Sequence, residues 1–427
     1  MLWLYRLLFL PALLVLAPRY LLRMRRRGGY REKFTQRFGA PPSLPPKTAR
    51  PRVWLQAVSV GEILAIGPIL EALARDGVEI YLTTTTSTGW RLAADRYRAS
   101  VADLGYFPLD AWPFSARAWR HIRPDFVILA EGERWPEHLH QAARRGVPVV
   151  CVNARVSDRS FARLRRLHPV ARLMLDGITR FHAASALDAS RLEALGVSRE
   201  RLLVTGNLKL DVDIRRLAEA ERAALRRELG FPDQGPVILG ASTWPGEEEA
   251  LLSAWQRHRS AHPGCSLLLV PRHAERREEI ARTLEGAGVR SHFRSRGPAD
   301  AGVDVTVADT TGELRQLMQL ADLVFVGKSL PPHTEGQTPV EAAALGKPIL
   351  HGPGMSNFRA IVAELTAGGA TCPVRDAAEL AEAIGRLLRD STARQGLGTA
   401  AAAWHQRNAG ATARVLADLR SLLGRAR

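Results

Sequence analysis

Residues 53–83 read VWLQAVSVGEILAIGPILEALARDGVEIYLT, and the reading of this stretch decides the fold. Val53–Val58 is a short apolar run of strand length, ended by Ser59-Val60-Gly61. From Glu62 onward, Ile63, Ile66, Leu70 and Leu73 recur at helical spacing and form one apolar face. Glu79–Thr83 is a second strand. Short apolar runs that alternate with helical patterns predict a parallel sheet with helices on both faces.

The pattern continues through Asp125–Leu129, Val147–Val152 and Leu202–Val204. It pauses over the charged stretch 211–230 and restarts at Pro236–Gly240, Ser266–Val270, Asp304–Val307, Leu323–Val326 and Pro348–Leu350. A chain of 427 residues is too long for one ordinary core. The α/β class with two Rossmann-like, doubly wound domains follows. They are expected at residues 52–210 and 233–427, with a linker at 211–232 and an Ala- and Arg-rich final helix in the second domain. Ligands in such sheets bind beyond the C-terminal strand ends, so the two domains are expected to face a cleft.

The net charge is +17, and it is concentrated at the start of the chain. Residues 1–60 hold twelve Lys and Arg against one acid, Glu32. They lie beside the apolar segment Leu2–Leu22, which Arg6, Pro11 and Arg19 interrupt. A basic segment flanking an apolar one suits an anionic membrane surface rather than nucleic acid. Residues 1–25 are therefore expected to form a membrane anchor helix, either spanning or lying in the headgroup layer. Residues 26–51 form a basic and Pro-rich linker, and the excess of cations places the body of the protein on the cytoplasmic side. The three cysteines, Cys151, Cys265 and Cys372, are far apart and form no C-x-x-C pair. That spacing favours a reduced compartment, with neither a disulfide framework nor a zinc site. The twelve His are scattered, so no metal centre and no cofactor are expected.

The informative residues lie just after strands. Glu62 opens a helix, where it serves either as a helix-start acid favoured by the dipole or as a general base. Glu131 ends Asp125–Leu129, and the plain reading is an ion pair with a basic residue. Lys209, in Gly206-Asn207-Leu208-Lys209, suits a phosphate or an oxyanion, or is simply solvated. Ser242 lies in a strand-to-helix turn that either caps the helix or holds an anion. Pro271 and Arg272 follow a strand, as do Thr311, Gly312 and Glu313. The run 327–341 (GKSLPPHTEGQTPVE) ends with Thr338, Pro339, Val340 and Glu341, and a Glu at that position could grip both hydroxyls of a ribose. Asn357 follows the next strand. No Walker loop and no G-x-G-x-x-G motif follows a strand.

The ordered set SVGE, E-x-E-x-WP, NAR-x-S-x-RS, GNLK-x-D, AST-x-x-GEEE, PRH-x-ER, DT-x-GEL and GP-x-x-x-NF resembles the family of transferases for Kdo, 3-deoxy-D-manno-octulosonic acid. The resemblance runs from about Tyr30 past Phe358. It implies the two-domain GT-B fold and metal-independent transfer of Kdo from CMP-Kdo to a lipid A precursor. It also implies a place at the cytoplasmic membrane of a Gram-negative-type bacterium. By the same resemblance, Glu62 is the base, and Glu131 and Lys209 steady the transition state. Pro271, Arg272, Thr311 to Glu313 and Thr338 to Glu341 hold CMP, with Ser242 and Asn357 lining the same pocket.

One loop departs from the family pattern. The family commonly has Gly-Gly where Gly327-Lys328 stand, and Gly-Gly-His-Asn-Pro-Leu-Glu where residues 335–341 stand. The departure falls on the donor-sugar contacts, where a related acidic sugar is the alternative. Two further readings compete: another membrane-associated GT-B transferase using a different nucleotide sugar, and a non-catalytic lipid-surface module of the same fold.

Overall fold

The computed structural model describes residues 1–26, 33–132 and 134–425. Part of the expected basic region, residues 27–32, lies outside them, as does Glu133 of the E-x-E-x-WP motif. The chain forms two compact units: Met1–Asp211 together with the stretch from Ala409 onward, and Val212–Asn408.

The first unit holds seven strands: β1 (Arg52–Ala57), β2 (Glu79–Thr84), β3 (Asp103–Tyr106), β4 (Phe126–Ala130), β5 (Val149–Ala154), β6 (Arg180–Ala183) and β7 (Leu202–Val204). They pair in the order β3-β2-β1-β4-β5-β6-β7, with the strands parallel. Helices cover both faces, so neighbouring residues of one strand enter different cores. Val53, Leu55 and Ala57 of β1 pack with Ile63, Ile66, Leu70 and Leu73, the face read from the sequence. Trp54, between them, packs with Trp119, Phe107 and Val127 on the opposite face.

The second unit holds β8 (Val237–Thr243), β9 (Ser266–Pro271), β10 (Ser291–Phe293), β11 (Val305–Val307), β12 (Leu323–Val326), β13 (Ile349–His351) and β14 (Thr371–Pro373). Their order is β10-β11-β9-β8-β12-β13-β14, and the pairs are again parallel. Each sheet therefore reverses direction once. The switch points are the β1/β4 border in the first unit and the β8/β12 border in the second.

One boundary needs correction. The final helix, Ala411–Arg425, belongs to the first unit rather than the second. Its Val415, Leu416, Leu419 and Leu423 complete the core around Ile63 and Leu70. Asp211 caps its start, accepting from Gly410 N at 2.6 Å and from Thr412 N, and Asp418 meets His182 of β6 at 2.8 Å. These partners are about two hundred residues apart in sequence, so no local pattern announces them.

The N-terminal helix forms over Leu2–Arg26, with Pro11 and Pro18 inside it. Among the described residues, no helix is long and apolar enough to cross a membrane. Instead the helix is tied to the first unit. The Tyr5 hydroxyl donates to Asp110 Oδ2 at 2.6 Å, and the Arg6 guanidinium meets Glu137 at 2.8 and 3.1 Å. Burial raises the Glu137 carboxyl, and the Arg6 and Gln141 hydrogen bonds, with the Arg6 and His140 charges, bring it below its ordinary value. An arginine that breaks the apolar run therefore has a structural use. Trp3, Leu7, Leu14 and Val15 of the same helix are 71–80% exposed.

Candidate active site

In doubly wound sheets, ligands bind outside the carboxyl ends of strands at the switch point. In the first unit that place lies past Ala57 and Ala130, and Glu62 and Glu131 stand there. Ser59 caps the helix Val60–Arg75 by accepting from Glu62 N. The Glu62 carboxylate folds back to accept from Val58 N at 2.8 Å and Ser59 Oγ at 3.0 Å. The capping role that the sequence allowed is thus real, and it fixes the carboxylate while using part of its acceptor capacity. Burial pushes the Glu62 carboxyl above its ordinary value. The Val58 hydrogen bond opposes this, the Glu131 charge adds to the rise, and Ser59 and Lys209 pull it back.

Glu131 sits in the left-handed region, with φ 53°. Its Oε1 meets Lys209 Nζ at 2.5 Å and Asn153 Nδ2 at 3.3 Å. Asn153, also left-handed at φ 53°, accepts from Leu208 N at 3.0 Å with its Oδ1. One amide at the tip of β5 therefore holds both the Glu131 carboxylate and the turn that carries Lys209. The ion pair expected for Glu131 is present, and its partner is Lys209. The structure thus groups Glu62, Glu131 and Lys209: two carboxylates of unequal environment and one ammonium, 37% exposed.

The candidate residues of the second unit all lie at or beyond the ends of strands of one sheet. Ser242 lies at the tip of β8 with φ 56°, and Pro271 ends β9, with Arg272 exposed beyond it. Thr311, Gly312 and Glu313 follow β11, and Glu313 meets Arg294 at 3.2 Å. Thr338 Oγ1 accepts from Val340 N at 3.2 Å, and Pro339 caps the short helix Val340–Ala344. Glu341, in its first turn, lies 3.5 Å from Arg315, which links it to the segment after β11. Asn357 N donates to Glu335 O at 3.0 Å, so the loop after β13 is stitched to the loop after β12, and its side chain is exposed. Among the described residues, no three His, Cys, Asp or Glu side chains are grouped to hold a metal ion.

Four non-glycine residues with positive φ stand at strand tips: Glu131, Asn153, Ser242 and Lys328. A left-handed backbone costs an L-residue about 1–2 kcal/mol. Such strain collects at functional sites, and here it marks strand tips at and beside both switch points.

Comparison with known proteins decides the family. The chain is 36% identical over 415 residues to the 3-deoxy-D-manno-octulosonic acid transferase of Bordetella pertussis, covering 94% of this chain and 95% of that one. This chain belongs to the 3-deoxy-D-manno-octulosonic acid transferase family. The Haemophilus influenzae enzyme of the same name is 31% identical over 404 residues, covering 93% and 92%. The family model for 3-deoxy-D-manno-octulosonic-acid transferase (kdotransferase) matches residues 32–212, and that for glycosyl transferases group 1 matches 298–404. Among solved structures, the UDP-GlcNAc 2-epimerase of Neisseria meningitidis has a TM-score of 0.57 at 14% identity, over 87% of this chain and all of that one. A glycosyltransferase from Rickettsia africae has 0.55 at 14%, over 88% and 99%. At these identities the likeness speaks for the fold alone, and it is of GT-B type.

Two further residues of this Kdo transferase hold the strand tips in place. Asn153 follows a strand and opens the NAR-x-S-x-RS motif, but nothing in the sequence ties it to Glu131 and Lys209. Glu247, in the run Glu247-Glu248-Glu249, reads as a helix start. It is 1% exposed, and its carboxylate accepts from Trp244 N, Lys328 N, Ser329 N and Leu330 N at 2.7–3.0 Å. It clamps the tips of β8 and β12 together.

Proposed function

We propose that this Kdo transferase moves Kdo from CMP-Kdo onto a lipid A precursor, with inversion, at the cytoplasmic face of a bacterial inner membrane. The grouping of Glu62, Glu131 and Lys209 at the β1/β4 switch point carries the reading. Glu62 takes the proton of the acceptor hydroxyl as its oxygen bonds to the anomeric carbon. The bond from that carbon to the CMP phosphate oxygen breaks, and the electron pair leaves with CMP. A carboxylate whose carboxyl is raised by burial is a stronger base than a solvated one. Lys209 and Glu131 position charge beside the reacting atoms.

Glu341, Thr311 to Glu313 and Arg272 hold the nucleotide, with Ser242, Pro271, Thr338 and Asn357 around them. A carboxylate on ribose hydroxyls acts equally in ground and transition states. Glu341→Ala is therefore expected to raise KM for CMP-Kdo about tenfold or more and to change kcat by less than threefold. Steady-state kinetics with varied donor reads this. An unchanged KM would leave Glu341 as only the first-turn partner of Arg315.

The membrane contact is proposed to be interfacial. The helix Leu2–Arg26 is held to the first unit by Tyr5 and Arg6, presents Trp3, Leu7, Leu14 and Val15, and leads into the basic residues 23–33. An amphipathic segment with flanking cations binds anionic headgroups at about 1 kcal/mol per Lys or Arg. Deleting residues 1–25 also strips partners from the buried Asp110 and Glu137. The truncated protein is expected to be less stable by about 1–3 kcal/mol in urea melts, to retain CMP binding, and to lose roughly tenfold or more of its rate on vesicle-borne acceptor. Detergent-dispersed acceptor should restore the rate. Equal activity on anionic vesicles at physiological salt would remove the segment from membrane targeting.

A further inference from the structure

Lys328 stands at the β8/β12 switch point, where a ligand of the second unit is expected. Glycine is the residue that its backbone, φ 58°, would favour. The preceding Gly327 admits no side chain, since a Cβ there would meet Ser242 O at 2.4 Å. Lys328 is thus the first position on this tip where a side chain can be presented, and it presents one despite the backbone. The Glu247 clamp fixes the Lys328 backbone from below.

The Lys328 ammonium lies 4.1 Å from the centroid of the Trp244 ring, which His273 and His333 flank with edge contacts at 5.1 and 5.7 Å. Among the described residues, the carboxylate paired with it is Glu335 Oε1 at 3.4 Å. That is longer than a charge-assisted hydrogen bond, about 2.7–2.9 Å. The Glu335 side chain is 44% exposed, while the Lys328 side chain is 20% exposed. A sheltered cation on a rigid tip is therefore loosely matched by a carboxylate that solvent already reaches.

We infer that Lys328 reads the carboxylate of the donor sugar, with Glu335 holding its place until the donor binds. This rests on the CMP-Kdo reading. Kdo bears its carboxylate on the anomeric carbon, next to the bond to CMP, so a cation at the donor-side switch point is suitably placed to select an acidic sugar. The contact exists before and during transfer, so it sets donor affinity and specificity.

The test is equilibrium binding of CMP-Kdo and of CMP to the full-length protein, without acceptor, by calorimetry. Lys328→Gly suits the backbone and keeps the fold. The wild type is expected to bind CMP-Kdo at least tenfold more tightly than CMP. Lys328→Gly should lower that preference several-fold, with CMP affinity changed less than twofold. Glu335→Gln should tighten CMP-Kdo a fewfold. Loss of CMP and CMP-Kdo affinity by the same factor would make Lys328 a phosphate contact and overturn the inference. A preference unchanged in Lys328→Gly would overturn it too, as would a Glu335→Gln variant that binds CMP-Kdo more weakly. A wild type that binds UDP ligands and neither CMP ligand would instead overturn the donor assignment itself.

Discussion

Replacing Glu62 by Gln is expected to lower turnover by a factor of about 10²–10⁴ while leaving the fold and CMP affinity in place. The side chain caps its own helix through Val58 N and Ser59 Oγ. A Gln carbonyl can accept from Val58, and its amide can donate to Ser59, so the cap survives with nearly the same shape. What disappears is the basic carboxylate. The pH profile gives an independent sign. A base works only when ionised, and burial places the Glu62 carboxyl above its ordinary value. Wild-type kcat/KM should therefore rise with pH through a limb above the usual glutamate range, and Glu62→Gln should lack that limb. Turnover within a fewfold of the wild type would reduce Glu62 to a helix cap.

Lys209→Met should lower kcat/KM by about 10²–10³, the scale found when one preorganised electrostatic partner is removed from a reacting centre. The variant leaves Glu131 with Asn153 as its remaining side-chain partner among the described residues, yet Glu131 is 21% exposed, so water can take up part of the lost interaction. Folding should be affected far less than catalysis, which a melt run beside the kinetics would show. A Glu131→Gln, Lys209→Met double variant separates pairing from chemistry. If the two side chains act as one unit, its loss will be well short of the product of the single losses. A Lys209→Met enzyme within threefold of the wild type would show the ion pair to be structural only.

Much of this was legible because a buried parallel strand has a simple signature. Val53–Val58 and the spacing of Ile63, Ile66, Leu70 and Leu73 were sufficient to infer a sheet with covering helices. The rule that ligands sit beyond strand ends singles out the segments that carry Glu62, Glu131 and Lys209. Long-range features were not legible. The final helix returns to the first unit through Leu419 and Asp418, whose partners lie far away in sequence. Arg6 looked like a defect in an apolar anchor, because its partner Glu137 is 131 residues away. The left-handed backbones of Glu131 and Lys328 carry no sequence signal, since these residue types ordinarily occupy other regions. Strain of that kind depends on packing around the strand tips, which only the assembled unit supplies.

The central claim is the reaction itself. The full-length protein, incubated with CMP-Kdo and a tetraacylated lipid A precursor in detergent, is read by mass spectrometry of the lipid. The account predicts that the lipid gains mass in whole Kdo increments, that CMP is released in step, and that the gain is lost with Glu62→Gln. A lipid that gains no mass from CMP-Kdo, or gains a hexose from a UDP-sugar instead, would contradict it.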